Sequence, residues 1–117
     1  MKGFILFIIA IILYLPLTLL NWLMVCFKYG LKNDYFKQTA IHLDVFGNMN
    51  LRTLLNSTLI TKIAKLKFGE KQVTISATLG YNEYHNTLTK IGKVICWILD
   101  KIDKNHCYKA AIAWQLL

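Results

Sequence analysis

The chain has few acidic residues and almost no arginine, and this scarcity excludes several classes of function. Among 117 residues there are only six Asp or Glu, and Arg52 is the single arginine among 14 basic residues. A paired-carboxylate site, a phosphate-cradling glycine loop and a dinucleotide fingerprint are all missing. Base recognition favours Arg, Asn and Gln on a defined element, so specific nucleic-acid binding is not expected. We therefore expect no enzyme activity and no cofactor.

The cysteine and histidine residues also lack the spacing that is usual for a metal site or a catalytic nucleophile. The zinc ligands that the C-terminal half could offer are His85, Cys96, His106 and Cys107. No C-x₂₋₄-C pair is present among the three cysteines, which favours a core position for Cys107 and a hydrogen bond from His106 to Asp103 or to a backbone group. A Cys107 nucleophile is disfavoured because adjacent residues seldom align a base with a thiol. Ser76 lacks the G-x-S-x-G context of a hydrolase, so we expect local hydrogen bonding there.

The longest uncharged stretch lies at the N-terminus. Residues 3–27 include 25 positions without a charge, more than the roughly 20 that cross a bilayer core. A cleaved signal is the alternative, but its apolar region runs only about 7 to 15 residues and ends in small residues, whereas residues 23–27 are bulky. We expect residues 1–28 to be a transmembrane anchor. Its representative side chains are Phe4, Ile8, Ile12, Pro16, Leu20 and Trp22.

Lysines near the two ends of this stretch predict its orientation. Only Lys2 precedes it, while several lysines follow closely, and the side richer in Lys and Arg tends to remain cytoplasmic. We therefore expect the N-terminus outside and residues 29–117 on the cytoplasmic side, or on the equivalent face of a viral membrane.

Residues 29–117 are long enough for one small basic domain. The chain has a formal net charge of +8, and every basic residue except Lys2 follows the anchor. Such a surface attracts anionic lipid headgroups or an acidic partner. The lysines expected to make these contacts are Lys28, Lys32, Lys37, Lys62, Lys65, Lys90 and Lys93.

The first half of this domain shows helical periodicity. Residues 35–46 predict a short helix, with Asn33 and Asp34 as candidate caps and with Gly47 and Asn48 as its stop. Asn50 can cap a second helix. The apolar side of that helix would comprise Leu51, Leu54, Leu55, Leu59 and Ile63.

The second half combines one ambiguous segment with two predicted helices. Residues 72–79 alternate as in a short strand, but a helical turn closed by Gly80 fits equally well. Residues 87–103 predict an amphipathic helix capped by Asn86 or Thr87, in which Gly92 allows close backbone approach. Asn105 is expected to begin a last helix. The predicted apolar ridge of the amphipathic helix is Leu88, Ile91, Val94, Ile95, Ile98, Leu99 and Ile102. The fold class is thus mainly α.

Two motifs follow each other in this half: TISATLG at residues 74–80 and ILDKIDKNHC at residues 98–107. Together they resemble a pattern in small uncharacterised proteins of bacteriophages and prophages. The matching positions are Thr74, Ile75, Ser76, Gly80, Leu99, Asp100, Asp103, His106 and Cys107. Ala77 departs from the pattern, where a second serine is usual. The resemblance covers roughly residues 43–111 and implies a viral origin without an assigned reaction.

These observations predict a non-enzymatic, single-pass viral membrane protein that links a lipid bilayer to a protein assembly, as in a lipid-containing virion. The expected partners are the bilayer and a capsid or other membrane-associated protein, or a second copy of the chain. A host inner-membrane effector for lysis or superinfection exclusion is the alternative, although the anchor has no G-x-x-x-G face for tight pairing. DNA handling at the membrane would depend on charge alone.

Overall fold

The computed structural model describes residues 1–31 and 34–117, and this part of the chain is helical. Its six helices, in chain order, are α1 (Lys2–Tyr29), α2 (Asp34–Asn50), α3 (Arg52–Thr58), α4 (Ile75–Tyr84), α5 (Lys90–Ile102) and α6 (His106–Ala113). The only strand-like pairing among the described residues is an isolated antiparallel bridge between Ile60 and Leu88. The predicted mainly helical fold, with one long apolar N-terminal helix, is confirmed. The chain divides into two compact units, Met1–Lys37 and Gln38–Leu117.

The first unit is dominated by α1, and nearly all apolar side chains of this helix are exposed. Val25 is its only buried residue, and Pro16 lies inside the helix. Within this unit the Asn21 side-chain amide donates to the Tyr35 hydroxyl at 2.5 Å. In the described residues α1 alone is long and apolar enough to cross a membrane, a property that signal sequences near an N-terminus share.

The second unit has a small core built around α4. Nearly every residue of its first two turns is buried, from Ser76 to Gly80. The buried apolar cluster of this unit comprises Leu59, Ile60, Ala64, Phe68, Leu79, Leu88, Cys96 and Cys107. Much of that cluster comes from the irregular segment 59–74, so this segment must bury backbone polar groups as well as side chains.

Asparagine side chains satisfy the backbone of segment 59–74. Buried Asn48 donates to the Val73 carbonyl at 2.7 Å and accepts from the Gly69 N–H at 2.9 Å. Asn56 accepts from the Phe68 N–H at 2.7 Å and donates to the carbonyl of the same residue at 3.1 Å. A primary amide offers both donors and an acceptor, so each asparagine replaces backbone pairing that a regular element would provide.

Asn82 of α4 also hydrogen-bonds to the backbone of segment 59–74, from a position within the core. It is fully buried, and its amide nitrogen donates to the carbonyls of Leu66 at 3.0 Å and Thr78 at 2.9 Å. Its oxygen accepts from the Thr87 hydroxyl at 2.6 Å. One side chain therefore joins α4 to both segments that flank it.

The boundaries predicted for the first two helices of this unit were wrong. α2 continues through Gly47 and Asn48 to Asn50, since the Asn48 amide bonds to a distant loop instead of terminating its own helix. α3 has only seven residues and begins after Leu51, not after Asn50. Of its predicted apolar side, Leu55 and Leu59 pack on the core. The remaining members, Leu51, Leu54 and Ile63, are exposed.

The segment that fitted either a strand or a helical turn is the beginning of α4. The Thr74 hydroxyl caps this helix by accepting from the Ala77 N–H at 3.0 Å. The strand interpretation was therefore wrong. The helical one was right in type, but the helix continues through Gly80 to Tyr84.

α5 was predicted as a helix, but its cap was wrong and only part of its predicted ridge is buried. The cap is Thr89, which accepts from the Gly92 N–H at 3.2 Å, not Asn86 or Thr87. Gly92 and Cys96 are the buried residues of this helix. Of the predicted ridge, Leu88, Ile95 and Leu99 pack in or on the core, and the other four, Ile91, Val94, Ile98 and Ile102, are exposed. The expected close approach at Gly92 is confirmed, because an added Cβ would lie 2.4 Å from the Leu59 carbonyl oxygen. α6 begins after Asn105 as predicted, although that side chain makes no capping bond.

Candidate functional site

The motif residues at 74–80 and 98–107 meet where α4 packs on α6. Gly80 is the point of closest approach, since a Cβ built there would lie 1.9 Å from the carbonyl oxygen of Cys107 and 3.0 Å from the Cβ of Ala111. Cys107 and Ala111 are fully buried. Only glycine at position 80 permits this packing, which places the polar side chains of both motifs side by side.

Ser76, His106 and Asp103 form a hydrogen-bonded row at this junction. His106 Nδ1 lies 3.1 Å from Asp103 Oδ2, and His106 Nε2 lies 3.2 Å from Ser76 Oγ. An ionised carboxylate can only accept, so Nδ1 donates to Asp103. In the tautomer that carries its proton on Nδ1, Nε2 accepts from the Ser76 hydroxyl. Of the two partners expected for His106, a backbone group or Asp103, the structure shows Asp103. The predicted inward packing of Cys107 is confirmed.

Lys109 completes the row at its exposed end. Its ammonium lies 2.6 Å from Asp103 Oδ1. Lys109, followed by His106, lowers the pKa of Asp103 below the usual 3.8. Because this pKa is depressed in the folded chain, its contribution to stability is present above about pH 3.8 and is lost as the pH falls through the folded-state value. We call Ser76, Asp103, His106 and Lys109 the α4–α6 clasp.

Asp44 of α2 approaches the same end of α4. Its Oδ1 accepts from the Ile75 N–H at 2.8 Å, which joins α2 to the first turn of α4. Burial raises the pKa of Asp44, while its bonds to the backbone and the nearby His106 partly oppose that rise. No local pattern in the sequence marks Asp44, because its partner lies 31 positions away.

The serine, histidine and aspartate row resembles the arrangement that activates a serine nucleophile, but its surroundings do not suit that chemistry. Acyl transfer needs free N–H donors to stabilise an oxyanion. At the start of α4 the Ile75 N–H is bonded to Asp44 and the Ala77 N–H to Thr74. A carboxylate beside these groups would repel an oxyanion, and the Ser76 side chain is itself buried. The geometry therefore favours a clasp that holds α4 against α6.

Replacing Ser76 with alanine should destabilise the domain by about 0.5–1.5 kcal/mol, because His106 loses its buried partner. Urea unfolding of the full-length protein in detergent, followed by circular dichroism, measures this change. Ser57→Ala is the matched control, since the Ser57 hydroxyl bonds to Thr53 on an exposed surface, and its effect should stay within about 0.5 kcal/mol. Covalent labelling of Ser76 by a fluorophosphonate would contradict the structural role and indicate a nucleophile.

The two buried cysteines contact each other between α5 and α6. Both Cys96 and Cys107 are free thiols with no exposed surface. The hydrogen bond to Cys107, with burial next, raises the pKa of Cys96 well above that of an ordinary thiol. Among the residues that the structure describes, no three His, Cys, Asp or Glu side chains come together in a way that could hold a metal ion.

Two further motif residues lie on α5. Leu99 packs on the core, and Asp100 is half-buried and close enough to Glu83 of α4 for its charge to act on that carboxyl. Burial first, and then the charge of Asp100, raises the pKa of Glu83. Asp100 is therefore outside the clasp, although it belongs to the same motif as Asp103 and His106.

The predicted membrane and headgroup residues are dispersed over the surface of the described chain. Of the anchor residues, Trp22 is half-buried and the others are exposed, namely Phe4, Ile8, Ile12, Pro16 and Leu20. Of the predicted headgroup contacts, six lysines are exposed, namely Lys28, Lys37, Lys62, Lys65, Lys90 and Lys93. Lys32, a predicted headgroup contact, and Asn33, a candidate cap, lie outside the described residues.

The chain was compared with known protein families, curated proteins and solved structures. No protein-family model matches the chain, and neither the curated proteins nor the solved structures gave a match.

Proposed function

We propose that the chain is a non-enzymatic, single-pass membrane protein that links a lipid bilayer to a protein assembly, as a structural protein of a lipid-containing bacteriophage virion. The observation that carries this proposal is the exposure of α1. Consecutive apolar side chains such as Ile11, Ile12 and Leu13 are all exposed, so α1 lacks the buried stripe of a helix that packs on a soluble core. A helix that is apolar all round suits the interior of a bilayer.

The composition of the second unit supports the linking role. Nine lysines beyond residue 60 are exposed, and the chain as a whole has a net charge of +8. Lysines near an anionic leaflet each contribute about 1 kcal/mol of attraction. When copies repeat in an ordered shell, such weak contacts add through multivalency. The viral part of the proposal rests on the resemblance of residues 74–80 and 98–107 to the pattern in bacteriophage proteins.

Two charges placed in the middle of α1 should abolish membrane integration. In I12K/L13K each lysine opposes insertion by about 2.5–3.5 kcal/mol. We expect the wild-type chain to float with vesicles and to resist alkaline extraction, and the double variant to be extracted. I12A/L13A is the matched control and should stay in the membrane. Extraction of the wild-type chain at high pH would overturn the proposed span.

The link to a particle is tested by mass spectrometry of purified virions before and after detergent removes their lipid. A structural protein should be present at high copy number and be loosened together with the lipid. If the chain is absent from particles, the virion role fails. Growth arrest when it is expressed alone would then indicate the host-membrane effector.

A further inference from the structure

α5 packs on the domain through the buried Gly92 and Cys96 and the half-buried Ile95 and Leu99. Four other large apolar residues of the helix point outward. The outward residues Ile91, Val94, Ile98 and Ile102 are 56%, 54%, 47% and 81% exposed. Their spacing of three and four residues places them on one side of a helix with 3.6 residues per turn. We call these four residues the α5 stripe.

Cationic and aromatic residues border the α5 stripe. Lys90, Lys93 and Lys101 are exposed on the same helix. Trp97 is 60% exposed, and the Lys101 ammonium lies 5.1 Å from its ring centroid. Asp100, the only acidic residue of α5, is half-buried, and its Oδ1 atom is out of contact with solvent, unlike the exposed lysines. The outward side of α5 therefore combines an apolar strip with positive charge and an amphipathic indole.

This combination matches an anionic lipid surface better than a protein groove. Helices that lie in the membrane interface have an apolar face with Trp or Leu and a polar face rich in lysine. Exposed apolar residues that lie together on a surface mark sites of contact with a protein or a membrane. The lysines complement anionic headgroups, and the candidate span on the same chain would keep the domain at a high local concentration near the bilayer.

We propose that α5 is a second membrane contact, with the α5 stripe inserted among the lipid headgroups and with Lys90, Lys93 and Lys101 bound to anionic phosphates. This inference deepens the proposed function and rests on it, because it assumes that α1 holds the chain in a bilayer. It assigns the lipid-facing side of the domain to one helix and leaves the other surfaces for a protein partner.

The depth of Trp97 tests the proposal in the full-length chain. Trp22 and Trp114 are replaced with Phe, because Trp22 lies in the candidate span and would itself be quenched by lipid. The protein is reconstituted into phosphatidylcholine vesicles with roughly one third phosphatidylglycerol, whose acyl chains are brominated near the headgroup. An interfacial helix lies about 5–10 Å into the headgroup boundary, so we expect strong quenching of Trp97 and protection from aqueous acrylamide.

Two variants separate the apolar and the electrostatic contributions. I98S/I102S removes half of the α5 stripe without touching its buried face, and it should abolish the quenching. Ile63→Ser is the matched control, since Ile63 is 79% exposed outside α5, and it should change nothing. K90Q/K93Q/K101Q should shift the docking equilibrium by roughly a hundredfold, at about fivefold per lysine, and raised salt should act in the same direction.

The readouts keep this inference distinct from the proposed span. Vesicle flotation reports α1, whereas quenching of Trp97 reports α5 alone. If the chain floats but Trp97 is quenched by acrylamide and not by brominated lipid, the α5 proposal is overturned while the span stands. If Trp97 is protected from both quenchers, a protein surface or a second copy covers the α5 stripe, and the proposal is again overturned. If the chain does not float, the proposed function fails first.

Discussion

Gly80→Ala should destabilise the folded domain by at least about 3 kcal/mol. The added Cβ would lie 1.9 Å from the Cys107 carbonyl oxygen, and this neighbour is backbone, so no side-chain rotation can relieve the overlap. Alanine is intrinsically better than glycine inside a helix by about 1 kcal/mol, so helix propensity predicts the opposite sign. Urea unfolding of the full-length protein in detergent, followed by circular dichroism, measures the change.

Gly47→Ala is the control for this prediction. Gly47 also lies within a helix, but a Cβ there would lie 3.2 Å from the Cδ1 atom of Ile75, the far end of a flexible side chain. We expect its free energy of unfolding to stay within about 1 kcal/mol of wild type. Equal stability of the two variants would show that α4 and α6 do not approach each other this closely.

Asn82→Asp should cost about 3 kcal/mol or more at pH 7. The Asn82 amide donates to the carbonyls of Leu66 and Thr78, and an introduced carboxylate would bring a negative charge against these two acceptors in a fully buried position. The loss also removes the bridge between α4 and the segment that precedes it. The same unfolding measurement applies, with Asn50→Asp on the exposed end of α2 as a control that should change little.

The pH dependence of the free energy of unfolding of Asn82→Asp shows whether the loss comes from the buried charge or from altered packing. Burial raises the folded-state pKa of the introduced carboxyl above its unfolded value near 3.9, so the folded state binds the proton more tightly. The variant should therefore recover stability as the pH falls from 7 towards about 4, where the protonated group can again donate one hydrogen bond. A deficit that is constant with pH would indicate that packing, and not charge, causes the loss.

The helical character of the chain was predictable because local signals suffice for it. The uncharged stretch at residues 3–27 predicted α1, and the periodicity at residues 87–103 predicted a helix where α5 lies. The start of α6 after Asn105 was also correct. These features depend on residues close in sequence, where composition and spacing act directly.

The direction of α5 was not predictable from periodicity. Large apolar residues at helical spacing normally mark the buried face, but in α5 they lie on two sides. Ile95 and Leu99 pack on the core, whereas Ile91, Val94, Ile98 and Ile102 are exposed. The Leu59 backbone packs so closely on Gly92 that no larger residue fits at that position, and spacing along the sequence does not reveal such a contact.

Core position also explains why α4 resembled a strand. All residues from Ser76 to Gly80 are buried, so this part of α4 has no exposed polar side. An amphipathic pattern with helical spacing is therefore absent, and the alternation of apolar residues that suggested a strand is not related to the structure. The α4–α6 clasp could not be predicted from the sequence for a different reason. Ser76 and His106 are 30 positions apart, and only the close packing at Gly80 brings them together.

The two buried thiols between α5 and α6 can be used to measure how often these helices separate. Cys96 and Cys107 have no exposed surface, and the raised pKa of Cys96 keeps that sulfur in its unreactive thiol form. An electrophile can therefore modify Cys96 only during moments when the two helices separate. Its rate of modification is the intrinsic thiol rate multiplied by the fraction of time spent open, so alkylation kinetics under native conditions follow the local unfolding equilibrium of this junction.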